Sequence, residues 1–184
     1  MNKRFTRLVI AVFFIQFTYG SFFSLIRPLI RDLRGDNLTL LLADSIPSMI
    51  GLLSYFWGWL SDRFGRRILI ALSMLGAFAI IMLSSADRPI DVVVSASIFA
   101  LFNSMISIAL LVEFSFEKSM ETAFGSYAGF GAAGWGMGSL LMGIISDVPG
   151  LGVHATLIIS SISWVMGCVT AITALGSMDP EKII

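Results

Sequence analysis

Apolar residues fall in six long runs along the chain, and the short segments between the runs hold nearly all of the charge. Each run approaches or reaches the roughly 17–25 residues that cross the hydrocarbon core of a bilayer as a helix. None shows the two-residue alternation of a transmembrane barrel strand. Backbone amides find no water in lipid, so such runs must satisfy their hydrogen bonds as helices. The pattern therefore predicts an all-α membrane protein with six transmembrane helices, at 8–29, 39–60, 68–86, 90–112, 123–146 and 153–176.

Composition agrees with this pattern and excludes a sizeable soluble domain. Of the 184 residues, 57% are hydrophobic and only 13% are charged, whereas about a quarter of a soluble domain is charged. We therefore expect one transmembrane bundle over 1–184, with the lipid bilayer as its main partner. The formal net charge is zero, which gives no reason to expect a nucleic acid partner. Residues 177–184 have the composition of a cytoplasmic tail or the start of a linker.

Basic residues are divided unequally between the two sides of the predicted membrane. If the N-terminus is cytoplasmic, eight of the twelve lie inside and four lie outside. Because cytoplasmic loops carry an excess of Lys and Arg, we expect a multi-pass protein of the cell membrane with both termini cytoplasmic. The inner eight are Lys3, Arg4, Arg7, Arg63, Arg66, Arg67, Lys118 and Lys182, and the outer four are Arg27, Arg31, Arg34 and Arg88.

The chain also contains an internal repeat. Residues 58–65, at the end of the second run, and 143–150, at the end of the fifth, both read Gly-x-(Leu/Ile)-Ser-Asp-x-x-Gly. The offset is 85 residues (147 − 62), which also relates the first run to the fourth and the third to the sixth. We therefore predict two three-helix repeats, at about 1–86 and 87–176. Three spans is an odd number, so the second repeat lies inverted in the membrane, as in secondary transporters.

Motifs for other kinds of chemistry are absent from the sequence. It has no Gly-x-x-x-x-Gly-Lys-(Ser/Thr) loop for ATP, no His-Glu-x-x-His and no Gly-x-Ser-x-Gly. A single histidine does not make a metal site. We expect no enzymatic activity, no catalytic residues, no bound metal and no cofactor.

The segment after the second span resembles a known signature. Residues 58–67 match the pattern Gly-x-Leu-(Ala/Ser)-Asp-Arg-x-Gly-Arg-(Arg/Lys), found between helices 2 and 3 of the major facilitator superfamily. The chain resembles the N-terminal six-helix half of such a transporter over its whole length. The resemblance implies a loop that latches two halves together on the cytoplasmic side through Asp62 and Arg66. The signature and gating candidates are Gly58, Asp62, Arg63, Gly65, Arg66 and Arg67.

The physics of this loop leaves two interpretations open. A carboxylate at the C-terminus of a helix, as predicted for Asp62, is unfavourable against the helix dipole and needs a cation or a donor nearby. Gly65 permits the tight turn. The arginines either form part of the latch or anchor the loop to anionic lipid and set the topology.

The chain departs from the family pattern in two places. Many proton-coupled members carry an arginine in helix 4, where this chain has Asn103 and Ser107. Many antiporters carry a Gly-Pro pair in helix 5, where this chain has Trp135 in place of the proline. The resemblance therefore does not imply a proton-coupled antiporter.

Polar residues within the spans are candidates for a solute cavity, because they are costly in lipid. Gln16, Tyr19 and Arg27 follow helical spacing on span 1. Asn103 and Ser107 share a face of span 4, which the repeat makes equivalent to span 1. The resemblance places both helices along a central cavity, so we predict that these five side chains line it. The alternative is interhelical hydrogen bonding for Gln16 and Asn103, with Arg27 reaching the outer interface.

Three further sets of residues invite a structural and a functional interpretation. Asp44 lies about one turn into span 2, and a pair with Arg27 would act either as a fixed staple or as an outer gate. Glu113, Glu117 and Glu121 form a solvated face, unless Glu113 binds Arg66. Small-x-x-x-small pairs on span 5 allow close helix contact, either within the bundle or with a second half, and they are Gly125 with Gly129 and Gly134 with Gly138.

Two functional hypotheses follow. The first is transport of a small solute by alternating access, as the N-terminal half of a major facilitator secondary transporter that pairs with a second six-helix half. In this hypothesis the chain is a fragment, a split-gene product or a protomer. The alternative is a non-transporting membrane interaction protein or an inactive transporter fragment.

Overall fold

Six helical spans account for most of the residues in the computed structural model, which describes residues 3–117, 119–146, 148 and 152–176. All six are long and apolar enough to cross a membrane, and the described residues contain no β-strand. The predicted all-α fold with six spans is confirmed. Lys118, Asp147 of the second motif copy and the predicted tail at 177–184 lie outside the described residues. Spans 1 to 6 are Lys3–Asp32, Asn37–Phe64, Arg66–Leu83, Pro89–Ser115, Met120–Ser146 and Gly152–Leu175.

Span 2 is interrupted near its middle. It consists of an α-helix over Asn37–Ile50, a 3-10 turn over Gly51–Leu53 and a second α-helix over Ser54–Phe64. Pro47 lies inside the first of these helices, about one turn before the interruption, and has no amide hydrogen to donate to the carbonyl four residues earlier. Interrupted helices at membrane depth occur where neighbouring protein or a water-filled cavity receives the freed backbone groups.

Span 3 is also divided, into helices Arg66–Ser73 and Gly76–Leu83. A Cβ atom at Gly76 would lie 2.8 Å from the indole nitrogen of Trp164 on span 6. The same indole donates a hydrogen bond of 2.8 Å to the Ser73 carbonyl. The buried Trp164 ring therefore occupies the break in span 3 and satisfies its backbone.

The connections between spans have well-defined caps. Asp36 begins span 2 and accepts hydrogen bonds from the amide and hydroxyl of Thr39, at 2.8 and 2.6 Å. These bonds favour the carboxylate and lower the pKa of Asp36. Between spans 2 and 3, Gly65 has φ of 88°, and its amide donates to the Ser61 carbonyl at 2.9 Å. This positive φ is where the signature turn requires glycine.

The packing of the six spans has an internal symmetry. Span 1 packs mainly against spans 5 and 6, and span 4 against spans 2 and 3, while spans 3 and 6 contact each other. Exchanging 1 with 4, 2 with 5 and 3 with 6 reproduces the same set of contacts. This pattern supports two related three-helix units, whose boundaries at about 86 and 87 stay a prediction.

Burial is uneven among the spans. In the most apolar stretch of spans 1, 4 and 6, about half of the residues are buried. The buried share of the same stretch is only 11% in span 2 and 22% in span 5. The core forms where spans 1, 4 and 6 meet, around Phe22, Phe99 and Trp164. Spans 2 and 5 therefore carry the least covered faces of the bundle.

Candidate functional site

A cavity of about 520 Å³ lies between spans 1, 2 and 4. It extends from the middle of the bundle toward the end at which span 1 finishes and span 2 begins, which we call the far end. The opposite end, with residues 58–67, is called the signature end. The residues that line the cavity are Tyr19, Phe23, Arg27, Asp44, Pro47, Ser48, Gly51, Ala100, Asn103 and Ser104.

An ion pair lies at the far end of this cavity. A guanidinium nitrogen of Arg27 is 2.7 Å from a carboxylate oxygen of Asp44, which joins span 1 to span 2. The two side chains are 67% and 46% exposed, respectively. The structure therefore brings together the pair expected from the sequence and leaves both members accessible from the cavity.

Aromatic and amide groups extend the cavity inward. Phe23 and Tyr19, one and two turns below Arg27, have ring centroids 4.5 Å apart. Asn103 lies near the middle of span 4, and its side-chain oxygen is buried without a hydrogen-bond partner in the described part of the chain. One wall is thus apolar and the deeper end carries an unsatisfied polar group, the usual composition of a small-molecule pocket.

The five predicted cavity residues do not share one space. Tyr19, Arg27 and Asn103 line the cavity, but Gln16 lines a separate groove with Tyr127, Gly131 and other residues of span 5. Ser107 does not line the cavity either. The structure thus brings three of the five residues together, and a role of all five in binding a solute stays a prediction.

Three cavity residues of span 2 and two of span 4 (Ala100 and Ser104) were not anticipated. Pro47, Ser48 and Gly51 face the cavity at the break in span 2, and Ser104 accepts a hydrogen bond of 2.9 Å from the Trp57 indole. Pro47 was the available signal, because a proline inside a lipid span leaves one backbone carbonyl without its helical donor, and neighbouring groups or a cavity must satisfy it.

The signature segment forms the turn between spans 2 and 3. Asp62 and Arg67 are exposed, and Asp62 has no hydrogen bond or ion pair within the described residues. The Arg63 guanidinium lies over the rings of Trp59 and Phe64, at 5.6 and 5.8 Å from their centroids. The Asp62 carboxylate is therefore presented at the surface of the signature end, at a helix C-terminus.

Arg66 is bound to span 4 instead of to Asp62. Its guanidinium forms an ion pair with Glu113, which has no exposed side-chain surface, and lies 4.5 Å from the centroid of the Phe116 ring. Arg4 of span 1 binds the other oxygen of Glu113 and also binds Glu117 at 3.0 Å. Interpreting Glu113 as part of a solvated face was wrong, and the alternative bond from Arg66 is present.

The glycines of span 5 separate into two groups. A Cβ atom at Gly134 or Gly138 would collide with the backbone carbonyl of Phe13 or Phe17 on span 1, so these two glycines allow close packing within the bundle. A Cβ atom at Gly125 or Gly129 would meet nothing within 4 Å. Only the second pair is free to contact another helix.

Comparison with known proteins gives a family. The family model of the Major Facilitator Superfamily matches residues 8–181, which is nearly the whole chain. No curated protein matches the chain.

Proposed function

The chain belongs to the Major Facilitator Superfamily, and we propose that it moves a small solute across the cell membrane by alternating access, as one six-helix half of a secondary transporter. The observation that carries this proposal is the cavity between spans 1, 2 and 4, with an accessible ion pair at its far end. Charged groups within a lipid span are expensive. They are best explained here by a water-filled path for a polar solute.

A second six-helix half supplies the other wall of this path. Spans 2 and 5 are the least covered spans of the bundle, and span 2 forms one wall of the cavity. The free face of Gly125 and Gly129 is suited to close contact with a helix of that half, since small residues let helix backbones approach. A leucine at Gly129 is expected to weaken assembly of the two halves without unfolding this one.

The signature segment serves as the latch between the halves. Arg66, held by the buried Glu113, fixes the loop to span 4. Asp62 remains exposed at a helix C-terminus, where it needs a cation or a donor. The second half provides that partner, so that Asp62 and Arg66 act together although they do not bind each other.

The Arg27–Asp44 pair acts at the opposite end as an outer gate. Both side chains are largely exposed, and an exposed ion pair is worth only about 0–1 kcal/mol. Such a pair opens readily, whereas a permanent staple would be expected to be buried. The signature end faces the cytoplasm and the far end faces outward.

The first test is the composition of the protein purified from native membranes, measured by native mass spectrometry in detergent. We expect two six-helix halves in each particle, from one chain or from two. A lone six-helix monomer would contradict the proposal and favour a protein without transport activity.

The second test is the access of water to the cavity. With the single cysteine removed as Cys168→Ala, Ser48→Cys should react with a membrane-impermeant maleimide from one side of sealed vesicles. Asp62→Ala should change that rate, because it releases the latch and shifts the population of the two states. An unchanged rate would overturn the role of Asp62 in the latch.

A further inference from the structure

The chemistry of the cavity narrows the class of solute. The lining residues that carry formal charge are one cation, Arg27, and one anion, Asp44, so this wall of the cavity has no net charge. The two groups neutralise each other at 2.7 Å. Any charged solute that enters must either leave this pair intact or replace it.

Replacement brings no net gain for a solute with a single charge. An anion that binds Arg27 leaves the Asp44 carboxylate without its partner, and a cation that binds Asp44 leaves the guanidinium unpaired. An exposed ion pair is worth only about 0–1 kcal/mol, so the contact that such a solute forms is worth about as much as the contact that it replaces. A lone anion or cation therefore gains one contact and loses another.

A solute with both charges avoids this loss. Its anionic group can bind Arg27 while its cationic group binds Asp44, and one ion pair becomes two. Both protein side chains are accessible, at 67% and 46% exposure. They can thus separate to admit the solute without breaking packed contacts.

The remainder of the cavity is suited to an apolar body. Tyr19 and Phe23 provide adjacent aromatic faces below the ion pair. Tyr19 lies eight residues before Arg27, which corresponds to about 12 Å along a helix axis. This depth exceeds the length of a charged head group alone. Asn103, with its unpaired oxygen, offers a polar group at the inner end.

We propose that the cavity binds a small zwitterion with an apolar body, with its carboxylate on Arg27, its ammonium group on Asp44 and its body against Tyr19 and Phe23. This inference rests on the proposed transport function and names its class of solute. Binding of the zwitterion also opens the outer gate, because its two charged groups replace the Arg27–Asp44 ion pair, which holds spans 1 and 2 together.

Four probes with the same phenyl group but different charges show which charge on a solute the cavity prefers. They are phenylalanine as the zwitterion, phenethylamine as the cation, 3-phenylpropionate as the anion and 2-phenylethanol as the neutral compound. Each is added to native membrane vesicles that contain the full protein with Cys168→Ala and Ser48→Cys. The rate of maleimide labelling at the cavity cysteine is then measured. Ser85→Cys, at the far end but outside the cavity, is the matched control.

We expect phenylalanine to slow labelling of the cavity cysteine several-fold and to leave the control cysteine unaffected. The other three probes should protect much less. Arg27→Gln should abolish protection by phenylalanine and allow phenethylamine to protect, since Asp44 then lacks its partner. Asp44→Asn should instead allow 3-phenylpropionate to protect. An unchanged labelling rate of the control cysteine in both variants shows that they are folded.

Three results would overturn the proposal. The first is equal or better protection by a singly charged or neutral probe when Arg27 and Asp44 are both present. The second is the absence of protection by phenylalanine. The third is protection by phenylalanine that persists in both Arg27→Gln and Asp44→Asn. None of these results bears on the number of halves in the particle or on the reactivity of Ser48→Cys from one side. Failure of the solute class is therefore distinguishable from failure of the transport function.

Discussion

A carboxylate without exposed surface, such as that of Glu113, is stable in an apolar bundle only where cations neutralise it. Arg4 and Arg66 do so from spans 1 and 3, and their own side chains are only 16% and 24% exposed. Removing the carboxylate leaves two partly buried cations close together. Glu113 therefore holds three spans together at the signature end.

Glu113→Gln should lower the free energy of unfolding by about 3 kcal/mol, at the lower end of the range for breaking a buried ion pair because the arginines retain some exposure. Unfolding in mixed micelles by titration with a denaturing detergent would measure it. Glu121→Gln is the matched control, since Glu121 is exposed on span 5 and should change stability by less than about 0.5 kcal/mol. Equal effects of the two substitutions would contradict a structural role for the cluster.

The cap at Asp36 predicts a dependence of stability on pH. The hydrogen bonds from the Thr39 hydroxyl and amide lower the pKa of Asp36 below its ordinary value of 3.8. A group whose pKa is lowered by folding stabilises the fold above the unfolded pKa, and that contribution is lost as the pH falls through the folded pKa. The contribution of Asp36 is thus complete at neutral pH and disappears below 3.8.

Asp36→Asn keeps a capping side chain, because Asn and Asp cap helices about equally well, but it removes the titrating group. At pH 7 we expect the Tm of the variant to be close to that of the parent protein. Between pH 5 and pH 3 the Tm of the variant should decrease less than the Tm of the parent protein. Differential scanning fluorimetry in detergent over that range would measure both. If the Tm of both proteins decreases equally over this pH range, the cap does not contribute to the acid sensitivity.

Among the elements, spans 1 and 5 have the closest contact, and it depends on glycine. Gly134 and Gly138 face backbone carbonyls of span 1, whereas Gly125 and Gly129, nine residues earlier in each case, face open space. The four residues look alike in the sequence as two small-x-x-x-small pairs. Their environments differ because nine residues correspond to about 2.5 helical turns, so the two pairs lie on opposite faces of span 5 and span 1 covers only one of these faces.

Gly134→Ala should destabilise the bundle by about 1–3 kcal/mol, the usual cost of overpacking, because the new methyl group meets the Phe13 carbonyl. Gly129→Ala should be neutral or slightly stabilising, since alanine has the better helix propensity and nothing obstructs it. Thermal unfolding of the two variants in the same detergent compares them directly. Similar losses for both would mean that span 5 packs differently from the structure described.

The sequence predicts the spans much better than it predicts the cavity. Span length is set by the thickness of the bilayer, so hydropathy alone finds all six. Helical spacing also identifies a shared helix face for Gln16, Tyr19 and Arg27. It does not show how far along that face the cavity extends. Gln16 lies eleven residues from Arg27, about 16 Å along the helix, where span 5 covers that face and the cavity has ended.

Long-range ion pairs show the same limit. The sequence allowed a bond from Arg66 to Glu113, because both lie at the same predicted end of the bundle. It gave no indication of Arg4, which is 109 residues from Glu113 and reaches it only because spans 1 and 4 are adjacent. Partners of this kind depend on which helices pack together, and periodicity does not contain that information.

At the scale of the whole molecule, charge is separated between the two ends of the bundle. Among the described residues, the signature end carries six basic side chains and the far end four: Lys3, Arg4, Arg7, Arg63, Arg66 and Arg67 against Arg27, Arg31, Arg34 and Arg88. Since basic loops stay on the cytoplasmic side, this asymmetry predicts a single orientation for all six spans, with the signature end in the cytoplasm. The cavity, which extends toward the far end, would then open outward.

The orientation is tested by one exposed serine at each end, Ser85 at the far end and Ser119 at the signature end. In a protein whose buried cysteine is removed as Cys168→Ala, Ser85→Cys should react with a membrane-impermeant maleimide in intact cells, and Ser119→Cys should not. In inside-out vesicles the reactivities should be exchanged, because the same two positions then face opposite solutions. The reverse pattern would place the basic signature turn outside, so that the eight-to-four division of basic residues would not govern topology in this protein. It would also make the Arg27–Asp44 pair a cytoplasmic gate, with the same solute approached from the other side.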